Sequence, residues 1–158
     1  MGINPPLVYI SSNIKHYTNR GILENDTFSV SIPTTDLLAL TDYCGVASAS
    51  EADKSQLFDV FYGGLEMAPM IAEFPVYMEC RVEREFTIEY GQIFVGRIAE
   101  TYVDEEYILE REGGETRVDM TILDPVACAL DNLYYRVGEP IGEGYQEAGA
   151  LKKGGVRS

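Results

Sequence analysis

Apolar and polar positions alternate along several stretches of this chain and take a looser helical spacing along two others. Residues 5 to 12 (Pro-Pro-Leu-Val-Tyr-Ile-Ser-Ser) are β-branched and aromatic after a double proline, the pattern of a strand entered from a turn. Asn13 then offers a helix N-cap. From Lys15 to Asn25 the side chains of Ile14, Tyr17, Ile22 and Leu23 fall roughly on one face, which predicts a short helix weakened by Gly21. Thr27 to Ile32 alternates with period two and stops at Pro33, marking a half-buried strand. Thr35 is placed to cap a second helix carrying Leu37, Leu38, Leu40 and Tyr43 and ending near Gly45.

Val46 to Ser55 is small and polar, too poor in bulk to build core, and reads as a loop or a ligand-facing turn. Val76 to Glu89 and Gln92 to Val103 are long and largely alternating, which predicts an antiparallel hairpin around Tyr90-Gly91 with one solvated face. Asp104 to Asp119 is charged, contains Gly113-Gly114 and reads as an exposed excursion before a strand at Leu133 to Val137. The pattern places one domain over residues 1–142 and a flexible tail over 143–158. No segment repeats at solenoid spacing.

Composition narrows the chemistry. A chain of 158 residues with 46% hydrophobic and 24% charged residues suits one globular domain and not a disordered segment. Twelve basic against 26 acidic residues give a net charge of −14, so nucleic acid and anionic membranes are poor partners. The single histidine, His16, cannot build a multi-histidine metal site. Cys44, Cys80 and Cys128 lie far apart, matching neither a Cys-x-x-Cys motif nor a disulfide framework, and are expected to be reduced and buried. The first residues carry no signal-peptide pattern and no later run reaches the length of a membrane span, so a cytoplasmic protein is expected.

The dinucleotide and phosphate-loop glycine motifs are absent, and the lone histidine has no Gly-x-Ser-x-Gly companion for a hydrolase triad. Basic residues are informative because they are scarce. The first 64 residues hold three (Lys15, Arg20 and Lys54) against seven acids. Lys15-His16-Tyr17-Thr18 falls at the start of the first expected helix, where free backbone N–H groups and the helix dipole favour an anion. Ser48 and Ser50 with Lys54 can furnish a second wall, and convergent donors of this kind suit a phosphate monoester. The same residues suit an ordinary N-cap followed by a solvated loop, and spacing alone favours that reading, because Ser, Thr and Lys are common in turns.

Several short stretches together resemble one family. Asn4-Pro-Pro-Leu-Val-Tyr-Ile-Ser, His16-Tyr-Thr-Asn, Phe28-Ser-Val-Ser-Ile-Pro33, Asp42-Tyr-Cys-Gly45, Asp53-Lys54-Ser and Ala68-Pro-Met-Ile71 look like the flavin reductase-like, FMN-binding split-barrel family that contains the flavoredoxins. Val76-Tyr-Met-Glu-Cys80, Ile93-Phe-Val-Gly96 and Tyr134-Tyr-Arg-Val-Gly138 agree more loosely, so the resemblance spans nearly the whole chain. It implies a mainly β fold with short helices (α+β), a Greek-key split β-barrel that dimerises and holds FMN in a groove near the subunit interface. By the same resemblance His16 and Thr18, with Ser48, Ser50 and Lys54, hold the phosphate. Lys15 is added on charge alone, and Ser11 and Ser12 are placed to meet the ribityl chain or the flavin edge. No residue is assigned a catalytic role, and Cys44 is given no redox role.

Members of the family usually carry a further strand pair before the Asn-Pro-Pro strand, so two expectations stand: the start codon is placed too late, or the barrel lacks its N-terminal strands. Because the flavin performs the redox chemistry, no acid–base pair is required of the protein. The implied function is electron transfer from NAD(P)H or another reduced donor to flavin or a protein acceptor. Two alternatives are an FMN-binding electron carrier without NAD(P)H oxidation of its own, and a shortened dimerising module that has lost flavin.

Overall fold

The protein is described by a computed structural model over residues 4–46, 54–111 and 113–144. Its frame is a four-stranded antiparallel sheet of β1 (Leu7–Asn13), β2 (Thr27–Ile32), β5 (Val76–Ile88) and β6 (Gly91–Val103) in the order β1-β6-β5-β2. The sheet curls into half of a barrel, with β1 and β2 as its edges among the described residues. Helix α1 (Tyr17–Asn25) joins β1 to β2, and α2 (Leu38–Val46) follows β2 through a 3-10 turn at Thr35–Leu37. Short pieces complete it: the pairs β3 (Val60–Phe61) with β4 (Met70–Ile71), β7 (Ile108–Glu110) with β8 (Thr116–Val118), and β9 (Val126–Cys128) with β10 (Tyr134–Arg136). One helical turn, α3 (Met120–Leu123), precedes β9.

The expected long hairpin is present, with its turn at Glu89-Tyr90 instead of Tyr90-Gly91. Ile88 pairs with Gly91, and Glu89 takes a left-handed φ of 51° to close the turn. Its register shifts twice, between Glu79 and Cys80 and between Val82 and Arg84. Such bulges bend a strand and strengthen its twist, which is how two long strands curl toward a barrel.

The sheet's inner face carries the core. Ile22 of α1 meets Phe28, Cys80 and Phe94, surrounded by Val8, Ile10, Val30, Met78, Val82 and Ile98. These are the alternate residues of each strand, so period-two patterning and core membership coincide. Gly96 makes the close approach possible: a Cβ there would lie 2.5 Å from the Phe28 ring and 3.0 Å from Cys80.

Several sequence expectations are corrected in detail. His16, not Asn13, is the N-cap residue of α1, because Asn13 still belongs to β1 and its backbone carbonyl accepts from the His16 N–H at 2.9 Å. Thr34, not Thr35, stands at the cap of the 3-10 turn that leads into α2, and α2 runs one residue past Gly45 to Val46. The 104–119 excursion holds a 3-10 turn and the β7–β8 hairpin. Cys80 is buried, Cys44 is half-buried, and Cys128 is exposed instead of packed.

Candidate functional site

The start of α1 is assembled by asparagines. Asn13 Oδ1 accepts from the Lys15 N–H at 3.0 Å, an Asx-type turn that leads the chain out of β1. Asn19, almost wholly buried, donates from Nδ2 to the Asn13 carbonyl at 2.8 Å and accepts from the Ser12 hydroxyl. Strand and helix are thereby locked end to end. His16 at the cap has extended geometry and makes no side-chain capping bond, and the first turn of α1 contains no acidic residue. The positive end of the helix is thus left uncompensated by the helix's own side chains, beside the exposed Lys15, His16 and Thr18.

Beside this helix lies a cavity of about 390 Å³ with a mainly apolar lining. Thr18, Gly21, Ile22 and Asn25 of α1 form one wall, Ile10 and Thr27 to Ser29 the floor, and Tyr62, Met67 and Pro69 the facing wall. Thr27 is buried, and its hydroxyl oxygen has no hydrogen-bond partner. The facing wall is the loop between β3 and β4, which is fastened to the sheet by a buried carboxylate. Glu79, wholly buried, accepts from the N–H groups of Gly64 at 3.0 Å and Leu65 at 2.9 Å, and from the Tyr102 hydroxyl at 3.0 Å. The Tyr102 phenol is correspondingly pushed up, first by that hydrogen bond and then by burial.

The structure brings Lys15, His16 and Thr18 together in one exposed segment, with Ser12 behind them on the same side of β1 as the core residues Val8 and Ile10. Ser11 points to the opposite face, where a Cβ on Gly91 would lie 3.6 Å from its hydroxyl. Lys54 opens the 3-10 turn Lys54–Leu57. Ser48 and Ser50 lie outside the described residues. Among the described residues no three His, Cys, Asp or Glu side chains converge as metal ligands, and no helix is long and apolar enough to cross a membrane.

Two of the resemblance motifs meet in space. Asp42 of Asp-Tyr-Cys-Gly accepts from the Tyr134 hydroxyl of Tyr-Tyr-Arg-Val-Gly at 2.9 Å. Alongside, the Thr35 hydroxyl donates to Asp124, whose Oδ1 lies 3.1 Å from the Arg136 Nε. The β9–β10 hairpin is thus clasped to α2, the helix that delivers the chain to residues 47–53. Glu79 and the Asp42–Tyr134 pair escaped sequence reasoning because their partners lie far away in the chain. Gly63-Gly64 before an apolar segment was the available signal for the first.

Comparison with known proteins follows this geometry. The pattern of the flavin reductase like domain matches residues 1–116. No curated protein matches the chain significantly. Among solved structures, flavoredoxin from Methanosarcina acetivorans is 38% identical with a TM-score of 0.86, over 96% of this chain and 79% of that one. Flavoredoxin of Desulfovibrio vulgaris (Miyazaki F) is 31% identical with a TM-score of 0.78, over 92% of this chain and 78% of that one. Nitrilotriacetate monooxygenase component B from Bacillus cereus, at 21% identity and a TM-score of 0.74 over 90% of this chain and 74% of that one, shares the fold. With most of its length inside the family pattern and a split-barrel sheet at its centre, the chain belongs to the flavin reductase like domain family.

Proposed function

We propose that this chain binds FMN and passes electrons from NAD(P)H or another reduced donor to flavin or to a protein acceptor. The observation that carries the reading is the start of α1: an extended, side-chain-uncapped entry with no acid in its first turn, flanked by Lys15, His16 and Thr18. Such an end suits a phosphate dianion, which gains from the helix N–H groups and from a nearby ammonium. Ser48, Ser50 and Lys54 supply further donors to the same phosphate. Ser12 approaches from the α1 side of β1 and Ser11 from the outer face, so together they serve a ribityl chain passing the end of the strand.

FMN, when bound, supplies the hydride and one-electron chemistry. The chain's own residues bind the phosphate, orient the ligand and exclude water. The 38% identity to a flavoredoxin supports the same reading. A homodimer is part of it: Tyr9, Phe86 and Ile88 lie on the outer face of the sheet with large exposed areas, and a second copy covers them. Cys44, Cys80 and Cys128, which form no disulfide among the described residues, support a reducing, cytoplasmic setting.

Titrating the purified chain with FMN, while following flavin absorbance and fluorescence, tests the binding. A protein that leaves the free-flavin signal unchanged overturns it. Consumption of NADH or NADPH in the presence of FMN then separates the reductase from the carrier, since turnover supports the first and bound flavin without turnover supports the second. Light scattering on a sizing column reads the dimer.

A further inference from the structure

We infer that Glu79 is the positioning residue of the cavity beside α1, fixing the loop between β3 and β4 so that Tyr62, Met67 and Pro69 stand opposite Thr18. It rests on the flavin reading only for its affinity arm. Glu79 lies in the first third of β5, at the first register shift, and is wholly buried. A buried carboxylate persists only when its oxygens are fully engaged, and here one oxygen takes the Leu65 N–H while the other takes the Gly64 N–H and the Tyr102 hydroxyl.

The fit is specific to this loop. A Cβ on residue 63 would lie 2.6 Å from the Tyr102 hydroxyl and 2.8 Å from the Glu79 carboxylate, so only glycine lets the backbone settle onto the acid. Further along the loop, the Ala68 N–H donates to the Leu65 carbonyl at 2.9 Å, and the Pro69 carbonyl accepts from the Ser29 hydroxyl. The wall residue Met67 therefore hangs between two fastened points, Leu65 on the acid and the wall residue Pro69 on β2. Hydrogen bonds fix direction as well as distance, which an apolar contact at position 79 would not do.

Glu79→Gln keeps the side chain's size and can still accept from Leu65, but it turns an NH₂ group toward the Gly64 N–H. In the full-length chain, amide hydrogen exchange over residues 62–69 should accelerate at least about tenfold while β5 and β6 keep their protection. FMN affinity should fall about tenfold, with a changed absorbance spectrum of the bound flavin. Tyr102→Phe, which leaves both backbone bonds, should move the same readouts in the same direction by less, and it carries the test should the amide variant fail to fold. Unchanged exchange at Gly64 and Leu65, or a uniform rise across the sheet, overturns the positioning role. Faster loop exchange with unaltered FMN affinity overturns the link to the ligand. A wild-type chain that binds no FMN overturns the flavin reading instead, because the exchange arm is read without flavin.

Discussion

Backbone donors gather at two places in this molecule and meet opposite fates. At Gly64-Leu65 two N–H groups and a tyrosine hydroxyl converge on Glu79, an acid the chain supplies itself and buries completely. At the start of α1 the first turn carries no acid, the cap residue makes no side-chain bond, and Lys15 and His16 stand exposed beside it. The first arrangement is closed and holds the fold. The second is open toward solvent and suited to an anion from outside. Burial of the acceptor separates them: a desolvated carboxylate must be satisfied within the chain, whereas donors at the surface can wait on water until a ligand arrives.

The contrast can be broken most forcefully at Glu79. Truncation by Glu79→Ala removes the shared partner of two amides and a phenol at a part-buried site, and urea unfolding should show a loss of about 3 kcal/mol. An unchanged midpoint would mean that the closed site contributes nothing. At the open site the expectation is reversed. Lys15→Ala should leave the unfolding midpoint within about 0.5 kcal/mol of wild type, because the side chain is exposed. FMN affinity should nevertheless fall roughly tenfold, the worth of one charge-assisted contact. Equal affinity in the two proteins would remove Lys15 from the proposed phosphate site.

Thr27 offers a third case, since among the described residues its buried hydroxyl has no partner. Thr27→Val removes the unmet group at nearly constant shape and should raise stability by about 1 kcal/mol, read as a higher thermal midpoint. A fall would show that the hydroxyl is engaged. The smallest effect is expected at the Asp42–Tyr134 pair, a hydroxyl–carboxylate bond like that of Tyr102 but exposed. Tyr134→Phe should cost only about 0.5 kcal/mol, because water replaces the lost partner.

A pH test concerns the core itself. Burial, with a lesser push from Glu79, raises the Cys80 thiol from its ordinary 9.0 to about 11. The folded state therefore keeps this proton where the unfolded chain loses it. The thiol's contribution is intact below pH 9 and declines as pH rises toward about 11. Stability measured across that window should fall, and Cys80→Ala should flatten the fall. At pH 8 a thiol reagent should label the exposed Cys128 well before Cys80.

Much of the fold was legible from the residues because its large elements obey simple periods. Thr27 to Ile32 alternates and forms β2, and the alternating stretches on either side of Glu89-Tyr90 form the long hairpin almost to the residue. The short pairs were not legible. Val60–Phe61 and Met70–Ile71 are two residues each, too short to show a period, and exist because the loop between them is fastened from outside. Of the candidate site, the exposed run of Lys15, His16 and Thr18 at the helix start was legible as a place rich in donors, and its role toward a phosphate is part of the proposal. The opposed directions of Ser11 and Ser12 follow from strand alternation once β1 is known to run through Asn13.

The mainly β class, the acidic character, the donors at the head of the first helix and the family resemblance are all written in neighbouring residues and can be read along the chain. Folding alone buries Glu79 against Gly64, Leu65 and Tyr102, brings Asp42 to Tyr134, and sets α1 and the 62–69 loop around one cavity. In a strand, alternation reports which side a residue faces but not what covers that side. A carboxylate on β5 therefore looks solvated until a distant loop folds over it and supplies the donors that make its burial tolerable.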